Sequence, residues 1–387
     1  MPRRVLPSLV LLAALAAACA SGGQASWLGA PRNIAPGVDL FQTNDTSLGT
    51  PAGPMAVYLL RIDPDKAAID SALSNDAVID AERVDDIARR RQAVAAVNAG
   101  FFNVKNGEPA GLLKVGGVLV SDTTLTRGVV AIHSPADDRQ QLYFDQVSVK
   151  MTGQITVDGE TVPLTIDGVD TTRERGKLML YTPSYHVHTD TAANGVEWVL
   201  AGSPLTVKQI RRDMGRTPIP RDGIVLSYGG LEPPAPLDRL AAGATLTLDT
   251  VWKVLNDTPE DRLRTARDII NGAGLLKRNG ATLSGWLATE NLQPKTFTDV
   301  RHPRTIIGTD RRGHIWLIVV DGRQPDYSVG MTFEEMIALA NRLELENALN
   351  LDGGGSTTMV VSGAIVNRPS DASGPRPVSD AIIVRAR

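Results

Sequence analysis

Apolar residues along this chain fall mostly in short runs of strand length. Residues 38–41 and 56–62 are rich in aliphatic and aromatic side chains and are bounded by Gly, Pro and Asp, which predicts buried strands. Residues 84–91 place apolar groups at helical spacing and predict a short amphipathic helix. The run 92–97 has the length of a buried strand and ends on Asn98-Ala99-Gly100-Phe101-Phe102-Asn103. Residues 111–120 read as a hairpin turning at Gly116-Gly117. From 128 to about 249, short strands alternate with turn signals such as Asp158-Gly159, Asp167-Gly168, Asn194-Gly195 and Asp222-Gly223. Further strands are predicted around 268–276, 304–308 and 314–320. Thr332, with Glu335 three residues later, predicts a capping box. The helix it opens is expected to run from 333 to 349, with Met336, Leu339, Ala340 and Leu343 on one face. Strands dominate, and the helices show no regular βαβ alternation. The expected fold class is α+β, with mixed, mainly antiparallel sheets and helices packed outside.

Composition narrows the class. A chain of 387 residues with 42% hydrophobic side chains can bury a large core. A net charge of -3, 4% aromatic residues and no basic block leave no footprint for nucleic acid. At the N-terminus, Arg3 and Arg4 precede an apolar run over 5–18 and then Ala16-Ala17-Ala18-Cys19, the layout of an export signal. Cys19 is the one cysteine of the chain and stands where a bacterial lipoprotein signal places its lipidated residue. Ala16 departs from the branched aliphatic usual three positions earlier, and cleavage after Ala18 is the alternative. The expectation is an exported, cell-envelope protein, anchored to the membrane through a lipid on Cys19 or else secreted. Residues 1–19 are read as the signal, 20–37 as a linker and 38–387 as one domain with a β-rich middle at about 151–249.

Candidate chemistry gathers at predicted strand ends. The densest stretch is Asn350-Leu351-Asp352-Gly353-Gly354-Gly355-Ser356-Thr357-Thr358. Three glycines allow positive φ and close approach, and their successive amides can form an anion nest. Asp352 and Ser356 add a carboxylate and a hydroxyl. A tight helix-to-strand turn would be the plain structural alternative. Arg304 and Arg323 offer paired donors to phosphate, and Asp321 with Asp352 could divide acid and base roles. Asn98 could bond a ligand oxygen, or merely stabilise a turn. His186 and His188 would share a strand face, but no third ligand at metal-site spacing joins them, which favours a surface pair.

The run from Arg304-Thr305 through Asp321-Gly322-Arg323 to the glycine stretch resembles the phosphodiester glycosidase domain family. Gly363-Ala364-Ile365-Val366-Asn367-Arg368-Pro369-Ser370-Asp371 and Arg376-Pro377-Val378-Ser379-Asp380-Ala381 are similar to its closing segment. Asn98-Ala99-Gly100-Phe101-Phe102 is similar to its early turn, with Ala99 where many members have glycine. The resemblance extends from about 38 to the C-terminus and is weakest over 151–249. It implies hydrolysis of the glycosidic bond of a sugar-1-phosphodiester, with a sugar phosphate or cell-envelope glycan as substrate. On this resemblance Asp352, Asp321 and Arg304 are the candidate catalytic residues. Asn98, Thr305, Arg323, Gly353, Gly354, Gly355 and Ser356 are the candidate substrate-binding residues. No cofactor is expected. Two other readings stay open: a phosphodiesterase that breaks the P–O bond with Ca²⁺ or Mg²⁺ on Asp321, Asp326 and Asp352, and a non-catalytic envelope protein that binds a glycan.

Overall fold

A computed structural model describes residues 26–45, 47, 53–134, 139–157 and 159–387. The signal, Cys19 and the start of the linker lie outside the described residues. The described residues form three sheets. An eight-stranded sheet contains Val38–Thr43, Val57–Ile62, Ile315–Val320, Arg304–Asp310 and Leu345–Asn350 in that spatial order. A five-stranded sheet has Ala95–Asn98 between Met359–Val361 and Asp380–Ala386. The twelve-stranded sheet is built on the long pair Thr123–His133 and Gln141–Val157, with Asp268–Asn271 beside the first. Pairing is antiparallel except between Gly168–Val169 and Leu178–Tyr181.

The expected α+β class with an outer layer of helices is not what forms. The described residues are mostly β, with 44% in strands and 12% in helices. Its α-helices among the described residues are Val84–Arg90, Glu260–Thr265, Trp286–Glu290 and Phe333–Arg342, too short and scattered to make a layer. Sheets cover sheets instead. One core is shared by Leu60 and Leu317 of the eight-stranded sheet, Val97 and Ile382 of the five-stranded sheet and Val130 of the twelve-stranded sheet. Residues from Met151 to Leu246 close a separate core.

The last helix shows why the helical share was overestimated. Its capping box forms as predicted, Thr332 Oγ1 accepting from the Glu335 N–H and Glu335 returning the bond to the Thr332 N–H. The helix then stops at Arg342 rather than at 349. Glu344 takes φ 55°, and Leu345–Asn350 becomes a strand paired with Arg304–Asp310. Leu-Glu-Leu-Glu has good helix propensity, but pairing inside a sheet buries Leu345, Ala348 and Leu349 and overrides it. The predicted hairpin does form: Leu113–Val115 and Val118–Ser121 pair across Gly116 and Gly117, both at positive φ.

A buried carboxylate joins the two largest sheets. Glu290 is 1% exposed. It accepts N–H groups from Gly128 at 2.9 Å, Gly274 at 2.8 Å and Leu275 at 3.0 Å, and the Gln146 amide at 2.7 Å. Gly128 and Gln146 belong to the twelve-stranded sheet, and Leu275 to a strand of the eight-stranded one. Replacing Glu290 by Ala leaves these donors unpaired, at roughly 1–3 kcal/mol each before relaxation. Urea unfolding of Glu290→Ala should therefore show a lower midpoint, corresponding to a loss of roughly 3 kcal/mol or more in unfolding free energy, with Glu290→Gln between it and the wild type.

Candidate active site

Strand ends from all three sheets meet around the glycine turn, and hydrogen bonds between them fix the meeting. Asn98 ends its strand fully buried. Its Nδ2 donates to the Asp352 carbonyl at 2.6 Å, and its Oδ1 accepts Thr305 Oγ1 at 2.7 Å and the Thr358 N–H at 3.2 Å. Ala99 links two acids: its carbonyl accepts the Asp352 N–H at 3.0 Å, and its N–H donates to the Asp380 carbonyl at 3.2 Å. The Phe101 N–H reaches Asn271 Oδ1 at 3.2 Å, which adds the end of Asp268–Asn271 from the third sheet.

Each glycine of the turn has its own steric reason. A Cβ on Gly353 would lie 2.5 Å from the Pro303 carbonyl oxygen. Gly354 has φ +61°, and a Cβ there would also stand 3.0 Å from Arg323 Nη2. A Cβ on Gly355 would run into the ion pair between Asp371 and Arg376, which meet at 2.8 Å. The three amides do not form the expected nest. Gly353 N–H donates to Asp352 Oδ1 at 2.8 Å and Gly354 N–H to the Pro303 carbonyl at 2.9 Å. Only Gly355 N–H, of the three, is left without an acceptor among the described residues. The hydroxyls of Thr357 and Thr358 are likewise buried and without partners there, while the Ser356 hydroxyl faces the Asp352 carboxyl without meeting full hydrogen-bond geometry.

The arginines divide into a brace and two surface groups. Arg304 is 1% exposed, boxed by the rings of Phe297 at 5.2 Å and Phe333 at 5.1 Å. Its Nε donates to the Met331 carbonyl at 2.9 Å, and Nη2 donates to those of Phe297 at 2.8 Å and Val300 at 2.9 Å. Burial, then the Arg323 charge, lowers its pKa to about 9, which leaves it cationic at neutral pH. Arg323 is exposed and lies against Gly354, with Nη2 3.4 Å from His302 Nδ1. Arg376, partly exposed, lies against Gly355.

The carboxylates also differ in what they have left to offer. Asp321 is buried. Its Oδ1 accepts Asn367 Nδ2 at 2.8 Å, and its Oδ2 accepts the Arg368 N–H at 2.8 Å and the Tyr327 hydroxyl at 3.3 Å. Burial raises its pKa, and these donors oppose the rise. Asp321 thus pins the closing segment. Asp352 is partly exposed, and burial lifts its pKa to about 6 against the pull of the Ser356 hydroxyl, the Gly353 N–H and Arg376. Asp380 was not singled out from the sequence as a site residue. It is buried, with a pKa lifted to about 6 by burial, and Oδ1 accepts the Gly100 N–H at 3.0 Å and Ser379 Oγ at 2.9 Å. The sequence marked it only as part of the family-like segment Arg376-Pro377-Val378-Ser379-Asp380-Ala381, with no role of its own. Among the described residues no three His, Cys, Asp or Glu side chains gather closely enough to hold a metal ion, so Asp321, Asp326 and Asp352 do not form such a group. His186 and His188 stack edge to face at 4.8 Å.

Asp380 also makes stability depend on pH. Its folded pKa of about 6 stands above the ordinary 3.8, so the folded state holds the proton more tightly than the unfolded one. The Asp380 contribution to stability is full below about pH 3.8 and is lost as pH rises from there through about 6. Asp380→Asn should raise the thermal midpoint at pH 8, by up to about 3 kcal/mol in stability, and leave it nearly unchanged at pH 4.

Comparison with known proteins places this geometry in context. The sequence model of the phosphodiester glycosidase family matches residues 194–385. Over 75 residues the chain is 40% identical to N-acetylglucosamine-1-phosphodiester alpha-N-acetylglucosaminidase of Bos taurus, covering 19% of this chain and 14% of that one. Over 100 residues it is 37% identical to the uncharacterized prophage-derived protein YomE of Bacillus subtilis (strain 168), covering 24% of this chain and 15% of the other. The aligned stretches thus span only 14% and 15% of the length of these curated relatives. A hypothetical protein from Synechocystis shares the fold, with a TM-score of 0.72 and 24% identity over 91% of this chain and 62% of its own.

Proposed function

We propose that this chain, whose residues 194–385 belong to the phosphodiester glycosidase family, hydrolyses the glycosidic bond of a sugar-1-phosphodiester. The C1–O bond breaks, water supplies the oxygen and one hydrogen of the new sugar hydroxyl, and the other proton goes to the phosphate, which leaves as a monoester. Such a leaving group is acidic already, so holding its charge matters more than protonating it. The observation that carries this reading is the seating of two guanidinium groups, Arg323 and Arg376, on the glycine turn beside Asp352. With the free Gly355 N–H they give three sources of donors to phosphate oxygens.

Asp352 is the carboxylate best placed for base or nucleophile work, because Asp321 is committed to Asn367, Arg368 and Tyr327. Arg304 and Thr305 act through position. Arg304 ties down the loop that carries Pro303, and Thr305 bonds Asn98. The phosphate charge is met here by arginines, so the reading requires no metal. Export on a lipid anchor at Cys19 belongs to the same proposal, since it would bring the site to envelope sugar phosphates. The support for export is the Arg3-Arg4 pair, the apolar run and the small residues before Cys19.

A turnover assay on sugar-1-phosphate methyl esters in ¹⁸O water tests the bond broken. Label in the released sugar is expected, and label in phosphate would mean P–O cleavage. EDTA should leave the rate unchanged. Asp352→Asn keeps an oxygen to accept the Gly353 N–H and should fold normally, while kcat drops about 10²- to 10⁴-fold. Full activity in that variant would remove Asp352 from the mechanism. As a base or nucleophile it must be ionised, so kcat/KM should fall as pH drops through about 6.

A further inference from the structure

Asn271, at the end of the strand Asp268–Asn271, is held more tightly than a strand end requires. Two glycines clamp its carboxamide: a Cβ on Gly100 would come within 2.7 Å of Nδ2, and one on Gly111 within 2.9 Å of Cγ. Oδ1 accepts the Phe101 N–H, which assigns the amide and makes Nδ2 the remaining donor. The residue is 2% exposed, yet Nδ2 has no acceptor among the described residues. A buried donor left unpaired is costly, and here two glycines preserve the arrangement.

Its neighbour supplies the complement. Asp380 is 1% exposed, and its Oδ2 has no donor among the described residues. The point where a Gly100 Cβ would stand lies 2.7 Å from Asn271 Nδ2 and 3.3 Å from Asp380 Oδ1. An orphan donor and a carboxylate with an orphan acceptor therefore flank one glycine. A hydroxyl, which accepts one hydrogen bond and donates another, matches that pair. Asn271 also lines a cavity of about 320 Å³ together with Phe101, Arg127, Gln293 and Phe297. That volume, with aromatic walls and a few fixed polar groups, suits a monosaccharide.

We propose that Asn271 and Asp380 form the sugar-recognition end of the site, taking one ring hydroxyl of a pyranose between Nδ2 and Oδ2. The apolar face of the ring lies against Phe101 and Phe297. This assignment rests on the hydrolytic reading above for its substrate class and deepens it. The link to the reacting end is Ala99, whose backbone bonds Asp352 on one side and Asp380 on the other.

Ligand-detected NMR titration of the full chain with glucose, N-acetylglucosamine, galactose and mannose, and with the monodeoxy analogues of any binder, tests the proposal. Asn271→Ala and the near-isosteric Asp380→Asn are the variants, so that one remains informative if the other fails to fold. At least one sugar should bind the wild type, and each folded variant should weaken it tenfold or more. The deoxy analogue lacking the recognised hydroxyl should bind the wild type as weakly as the parent sugar binds Asn271→Ala, and lose nothing further on that variant. A purely structural role would weaken all analogues alike and would overturn the proposal. So would unchanged affinity in both variants, or no binding to the wild type, which would leave the pair bridged by water. Because the readout is binding of free sugar, it separates from turnover. Sugar binding through Asn271 without phosphodiester hydrolysis sinks the hydrolytic reading alone, and hydrolysis with variants that bind as wild type sinks this one alone.

Discussion

The candidate site depends on one buried carboxamide. Asn98 bonds Thr305 at the start of one sheet's strand, the backbone of Asp352 and the backbone of Thr358, and so sets the five-stranded sheet against the eight-stranded one where the glycine turn emerges. Each of these groups is buried or nearly so, and none could be left unpaired without a penalty of roughly 1–3 kcal/mol. An asparagine suits the position because it donates and accepts from one rigid plane. Having three of its four hydrogen bonds made within the protein also changes its role. A side chain with three bonds to the protein is a brace for the site, and substrate contact passes to groups around it.

The same division runs through the other polar residues. Arg304 and Asp321 spend their hydrogen bonds on carbonyls and amides of the surrounding loops. Arg323, the Gly355 N–H and the hydroxyls of Thr357 and Thr358 keep unused capacity, and Arg376 keeps some beyond its ion pair with Asp371. The two carboxyl groups whose pKa is raised to about 6, Asp352 and Asp380, lie on either side of Ala99. Burying both near each other destabilises the charged forms. Such a cost is characteristic of sites organised for a reaction or a ligand.

Much of this was legible in the sequence because it is local. The Thr332–Glu335 capping box, the Gly116-Gly117 hairpin and the strand-length apolar runs depend on neighbours a few residues apart. Asp352, Arg323 and the glycines stood out because their residue types are rare at such density. Three features were misread and one was missed, each for a non-local reason. The helix expected to reach 349 ends at Arg342, because Leu345–Asn350 gains more by pairing with Arg304–Asp310. The helical layer of an α+β fold is replaced by sheets that cover one another. The three-amide nest is reduced to one free N–H, because Asp352 and Pro303 take the others. Asn271, within a predicted strand, and Asp380, within the family-like closing segment, were given no role, and only glycines far away in the chain reveal how they are held.

By itself, then, the chain determined the strand-rich pattern, the turn chemistry and which polar residues stand at strand ends, since propensity, capping and glycine conformation act over a few residues. Tertiary structure decided which of those residues are braces and which remain free to bind. That distinction depends on the partners that contacts across 170 to 254 positions bring to each side chain. It also decided how far burial shifts each carboxyl, because desolvation is set by the packing of all three sheets and no single segment encodes it.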